Sequence, residues 1–267
     1  MSAALSVRVR GVGMLGPGLA DWTGGQQMLR EPSAWVFRPT VLTAPGRLPP
    51  AERRRAGDVV KLSMAVADQA CTEAGADTQH LATVFTASSG DAANCNALCE
   101  ALATPQRAIS PTRFTNSVHN AVAGYWHIAT TSRAPSTSLC AHDGSFGAGL
   151  LEAMVQCVSA RRPVLLVAGD APYPEPLHSV RPLSAAFGVA LLLDVGPDDA
   201  PLPMLTLRSD ETEAPASDCG DVALDALRLG VPAARSLPLL RALAVGAPAS
   251  LRIEGLEGFT VEVRPHA

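Results

Sequence analysis

The chain has 267 residues, 47% of them hydrophobic and 17% charged, with a net charge of −4 and Lys61 as its single lysine. That balance suits one large or two small globular domains with a sizeable core. It excludes the concentrated positive charge that nucleic acid or an anionic membrane surface requires, and the run Glu52-Arg53-Arg54-Arg55 is too short to supply it.

No stretch of about 18–20 apolar residues is present to span a bilayer. The opening MSAALSVRVRGVG alternates like a strand and lacks the apolar centre of a secretory signal. Six scattered cysteines (71, 95, 99, 140, 157 and 219) in a core-capable chain point to reduced thiols and a cytoplasmic setting. Cys95-x-x-x-Cys99 has no second pair or nearby histidine to complete four ligands, so neither a metal nor another cofactor is expected.

In chain order, Ser6–Val12 reads as a strand broken by GMLGPG at 13–18, and Asp21–Arg30 can open a short helix. Pro32–Pro50 is a proline-rich connection. Gly57–Gly75 carries apolar residues at 59, 60, 62, 66, 67 and 70, a helical face closed by Gly75. LATVFTAS (81–88) is a buried-strand run that ends in the turn SSGD. Ala92–Ala103 is helical, Ile109–Asn116 a loop, and His119–Thr131 a helix with few charges, expected to be buried. Then come a strand at Ser136–Ala141, a helix at Ser145–Ala160, and strands at Pro163–Gly169 and Ala185–Val195, the last with a bulge expected at Gly188. This β-α-β-α order implies a parallel or mixed sheet covered by helices on both faces. Beyond Asp194 the order weakens: DETEAPASD (210–218) reads as a linker, followed by helices at Asp221–Leu229 and Ala233–Ala244 and an alternating hairpin, RIEGLEGFTVEV.

Five stretches in this order resemble the N-terminal half of a β-ketoacyl synthase, a thiolase-fold condensing enzyme. VRVRGVGMLGPG resembles the family's opening strand and turn, ERRRAGDVVKLSMAVADQACTEAG its first core helix, and LATVFTASSGD the next strand and glycine turn. ISPTRFTNSVHNAVAGYWHIAT resembles the loop and buried helix around Asn-x-x-Ala-Gly, and RAPSTSLCAHDGSF the stretch that carries the nucleophile. The match covers roughly residues 5–195. The resemblance implies an α/β fold, half of a layered α-β-α thiolase architecture with a mixed five-stranded sheet. Residues 1–200 form that half-fold, and 201–267 form a helix and hairpin appendage packing on it, not an independent domain.

In the family's pattern the active cysteine lies eight positions after the proline of Gly-Pro-Ser. Counted from Pro135 this is Asp143, with Ser138 and Ser145 in register, while Cys140 falls three residues early, inside a strand. There a cysteine packs as a small apolar residue. A catalytic Cys140 would require a deletion within the strand that inverts the facing of its side chains. Asp143 cannot form a thioester, although its carboxylate suits the positive end of the following helix as a cap or first-turn acid. His142 and Asp143, adjacent in an extended segment, would point in opposite directions. The two histidines that condensing enzymes draw from their second half have no counterpart among His80, His119, His127, His142, His178 and His266. His119 and His127 are expected on one helix as core or interface residues.

The resemblance therefore implies a non-catalytic, chain-length-factor-like partner of a full-length β-ketoacyl-acyl carrier protein synthase, similar to the short proteins of aryl polyene or xanthomonadin-type pathways. It meets the acyl carrier protein only indirectly. In such dimers the segment Thr112–Gly124 lies at the contact, so Thr112, Phe114, Ser117, Val118 and Asn120 are the candidate interface and tunnel residues. Two other readings stay open: a reduced ketosynthase or decarboxylase that uses Cys140, and a partner that only stabilises its ketosynthase.

Overall fold

The computed structural model describes residues 4–196, 201–210 and 212–265; the boundary expected at residue 200 and His266 lie outside them. Eight strands are described: β1 (Ala4–Leu15), β2 (Ala82–Thr86), β3 (Ser136–Leu139), β4 (Val164–Asp170), β5 (Phe187–Asp194), β6 (Met204–Ser209), β7 (Ala249–Leu251) and β8 (Phe259–Arg264). They form one sheet in the order β3-β2-β4-β5-β1-β6-β8-β7. β2 runs parallel to β3 and β4, and every other neighbouring pair is antiparallel.

The helices are α1 (Trp22–Arg30), α2 (Pro50–Arg55), α3 (Asp58–Ala74), α4 (Ala92–Ala103), α5 (Pro111–Thr115), α6 (Ala121–Thr130), α7 (Ser145–Ala160), α8 (Leu177–Val180), α9 (Val222–Gly230) and α10 (Leu237–Val245). Alternation along the central strands sorts the core onto two faces. Val164, Leu166 and Ala168 of β4, with Val189, Leu191 and Leu193 of β5, meet α7 and the tail helices α9 and α10. Leu165 and Val167, with Ala190 and Leu192, meet α3 and α6 on the other side. Because both faces are covered, these strands read as unbroken apolar runs.

The sheet is wider than the five strands expected. The segment Met204–Ser209, missed in the sequence, pairs with β1 on one side and β8 on the other, so the C-terminal hairpin extends the sheet's edge. At that end only one face is apolar: Leu205, Leu207, Val261 and Val263 join the core. Ser6 with Thr206, and Arg208 with Glu262, pair polar groups across these strands. The shielding expected of the tail comes from α9 and α10, which lay Leu224, Leu227, Leu237, Leu239 and Leu240 onto that core.

Three local expectations are corrected. β1 continues through Gly13 to Leu15, and its bulge falls between Val9 and Gly11, not at Gly188, which pairs regularly with Gly169. The Ile109–Asn116 loop contains α5, which Ser110 caps through its side chain and Pro111 opens at the first position. The buried helix begins at Ala121, so His119 precedes it and does not share a face with His127.

Candidate functional site

The parallel strands β2, β3 and β4 end side by side, and their carboxyl ends deliver the residues of the site, the usual place for one in such a sheet. Ser145, fully buried at the start of α7, ties them together. Its hydroxyl accepts from the Ala141 N–H at 2.9 Å and donates to the carbonyls of Ala87 and His142.

Just before α7, His142–Gly144 form one 3-10 turn, not the extended segment expected, with His142 in the left-handed region at φ 52°. The turn brings His142 Nδ1 to 3.5 Å from Asp143 Oδ1 instead of splaying the two apart. This is no isolated dyad. Arg181 Nη2 donates to the same oxygen at 2.8 Å, and Arg181 Nη1 contacts His142 Nε2. The other carboxylate oxygen lies 3.7 Å from Arg235 Nη2, and Arg235 Nε lies 3.1 Å from Glu254. The helix-capping role expected for Asp143 does not occur: α7 begins after Gly144 with no side-chain cap, and the carboxylate faces guanidinium groups instead. Burial opposes the charge of Arg181, but Tyr173 and Asp143 outweigh it and hold its pKa above the usual range.

Asp170 closes β4 and is almost fully buried. It accepts from the Ser88 N–H at 2.7 Å and the Ala233 N–H at 2.9 Å, joining the β2 turn to the C-terminal segment. Burial pushes its carboxyl up, while those donors and Arg181 pull it back. Tyr173 hydrogen-bonds both Ser88 and Ser89 through its hydroxyl.

Cys140 lies one residue beyond β3, not inside it, and the residue is exposed overall. Its Sγ sits 3.6 Å from His119 Nδ1 and faces a cavity of about 30 Å³ lined by Phe85, Thr86, Val122 and Leu139 among others. Burial of the thiol pushes its pKa up, Asp170 adds to this, and the backbone of Ala87 and Gly90 offsets part of it. Such a thiol holds its proton and is a weak nucleophile.

The segment expected at a subunit contact stands on the surface beside this cavity. Phe114 is 65% exposed and Val118 52%; Ser117 and Asn120 are also exposed, and Thr112 is half-buried. Ser117 Oγ donates to the Phe114 carbonyl, and Asn116 joins Tyr125 to the Arg55 carbonyl, so the backbone here is fixed. α4 rests on α5 through Asn94, which donates to the Arg113 carbonyl and is the one buried residue of its helix. His127 is a structural group, with Nδ1 2.9 Å from the Ser132 carbonyl.

Sequence reasoning singled out Asp143, Cys140 and the 112–120 segment, with His119 of the last lying 3.6 Å from Cys140, but missed Asp170, Tyr173, Arg181 and Arg235. A lone acid ending the apolar run PVLLVAGD, and a lone arginine inside VPAARSLPLL, were the available signals. Among the described residues, no group of three or more His, Cys, Asp or Glu is placed to hold a metal ion, and no helix is long and apolar enough to cross a membrane.

A sequence model described as "Beta-ketoacyl synthase, N-terminal domain" matches residues 26–226, well over half of the chain. No curated protein sequence matches. Among solved structures, one similar chain comes from the ketosynthase ApeO in complex with its chain length factor ApeC from Xenorhabdus doucetiae. It has a TM-score of 0.70 at 24% identity over 97% of this chain and 99% of that one. A chain of the ishigamide ketosynthase/chain length factor gives 0.70 at 13% identity, over 98% and 100%. A β-ketoacyl synthase from Burkholderia phymatum gives 0.63 at 12%, over the whole of both chains. At these identities the likeness establishes the fold, and the aligned region takes in nearly all of each chain.

Proposed function

The chain belongs to the family of β-ketoacyl synthase N-terminal domains, and from that premise we propose that it is a non-catalytic, chain-length-factor-like subunit. It pairs with a full-length β-ketoacyl-acyl carrier protein synthase and shapes that enzyme's acyl tunnel during polyene-type chain elongation. One observation carries the inactivity: the position in register with the family's nucleophile holds Asp143, a carboxylate already engaged by Arg181 and facing Arg235. It cannot form a thioester. The surface indicates where the partner sits. β3 is one of the sheet's two edge strands, and Phe114, Val118 and Ile128 expose apolar side chains. Unpaired edge backbone beside exposed apolar groups is the kind of surface a protein covers with another chain. Ketosynthase/chain length factor complexes among the similar structures support this choice of partner. Six unpaired cysteines suit a cytoplasmic complex. In this reading residues 1–200 are the half-fold, and 201–267 pack on it as an appendage.

The test is co-expression with a ketosynthase encoded beside this protein, followed by co-elution and product-length analysis. Co-elution with altered product length on changing Phe114 supports the tunnel role. Co-elution with unchanged product leaves only a stabilising partner.

A second reading has one observation in its favour: the 3.6 Å approach of His119 to Cys140. Against it stand the raised thiol pKa and a cavity of about 30 Å³, room for roughly two water molecules. Incubation with malonyl- or acyl-carrier protein, read by intact mass, decides it. No adduct on Cys140 is expected, and Cys140→Ser leaves the complex's activity intact.

A further inference from the structure

Two close approaches converge on the first turn of α7. A Cβ built on Gly147 would lie 2.3 Å from the Glu254 carbonyl oxygen, and one on Gly144 2.8 Å from the Gly255 Cα. The backbone of residues 254–255 therefore rests directly on the backbone of α7. Gly255, at φ 84°, adopts the left-handed turn that makes the approach possible. On either side Ile253 and Leu256 are buried in the core, and the turn is closed by Leu256 N–H donating to Ile253 and Phe259 N–H donating to Leu256.

Charge holds the same contact from the side. Arg235, only 8% exposed, stands between Glu254 of the turn and Asp143 at the entrance to α7. Its Nε and Nη1 make no hydrogen bond of good geometry among the described residues, so this buried guanidinium depends on the two carboxylates to offset its desolvation. Arg181 grips only the outer oxygen of Asp143 and makes no ion pair with the turn.

We propose that Asp143, Arg235 and Glu254 form a clamp that holds the 253–256 turn as a built-in cover over the first turn of α7. Asp143 is then a fastening for the C-terminal segment. The start of α7 is closed to an incoming acyl thioester from that side whatever residue occupies position 143. The clamp stands on this geometry and does not depend on the pairing with a ketosynthase.

Hydrogen exchange of the full chain, followed by mass spectrometry, tests it. Asp143→Asn and Glu254→Gln are each expected to raise exchange at Leu256 and Phe259 about tenfold, because each leaves Arg235 undercompensated. Exchange in β4 and β5 stays within about twofold. Gly147→Ala, which wedges the backbones apart, gives the same local rise with the charges intact. Arg181→Ala loosens residues 142–144 and leaves the turn as it is. Unchanged exchange at the turn in both carboxylate variants overturns the clamp. So does a rise in β4 and β5 equal to that in the turn. Should Asp143→Asn not fold, Glu254→Gln decides alone.

Discussion

The two ends of the sheet are built from similar material and finished differently. At the β7 end, the 3-10 turn 232–236 is buried along its whole length, and α9 and α10 bury Leu224, Leu227, Leu237, Leu239 and Leu240 while Val222, Leu229 and Val245 face solvent. At the β3 end, α4 carries mostly Ala, Cys and Leu yet buries Asn94 alone, and Phe114, Val118 and Ile128 stand in solvent. The hydrophobic effect explains the first end without help from outside. The second leaves apolar area in water that only a further surface can remove. In the function proposed above, that end is where the partner subunit completes the chain.

Four measurements break or sharpen that contrast. The largest effect is expected from Leu240→Ala at the closed end, about 2–5 kcal/mol of lost stability by denaturant unfolding of the isolated chain, because a fully buried side chain leaves a cavity. Phe114→Ala at the open end stays within about 0.5 kcal/mol in the same assay. Equal losses at both sites would erase the contrast. Next comes Phe114→Asp, expected to weaken co-elution with the ketosynthase at least about 100-fold, since a buried unpaired charge costs several kcal/mol. Phe114→Ala should assemble and lengthen or broaden the products; normal assembly and unchanged products from both variants would remove the segment from the interface.

Thiol labelling reads the same boundary more gently. At neutral pH, exposed Cys99 should react fastest and Cys95 more slowly, its thiol pushed up by partial burial and by Cys99, while Cys71, Cys157 and Cys219 do not react, because burial pushes those three up to about 12. Added partner should protect the Cys95–Cys99 face, and full labelling in the complex would place the contact elsewhere. The smallest effect is a slope in alkali. Between pH 9 and about 12 the folded chain keeps the Cys157 proton that the unfolded chain has lost, so stability falls as pH rises through that window. Cys71 and Cys219 add to the same slope, so Cys157→Ala should lessen it without abolishing it, with only its packing loss below pH 9; an unchanged slope would mean that this thiol titrates normally.

Much of the fold was legible because its central strands are covered on both faces and advertise themselves as apolar runs, as in β4 and β5. β6 was not: Pro201 and Pro203 precede it, and its one apolar face leaves only Leu205 and Leu207 as a signal. The α5 turn was hidden by its exposure, since Phe114 shows no helical face to read. In the site, Asp143 could be placed by register, but what it binds could not. Arg181 lies 38 residues away and Arg235 farther still, and each meets Asp143 only after the sheet has assembled. The misplacement of Cys140 inside a strand had a local cause: β3 stops at Leu139, where its last carbonyl accepts from Ala87 and the chain turns toward α7.

The position of β1 also sets a clock. It lies inside the sheet, with Arg8 paired to Asp194 and Leu5 to Leu207, so neither ladder can form until most of the chain exists. At about 5–20 residues per second on the ribosome, the first strand waits roughly 10–40 s with its valines unpaired. α3, which must pack on β1, waits with it. Nascent chains should therefore be at their most vulnerable late in synthesis, and dependence on holding chaperones should end only when β5 and β6 have emerged.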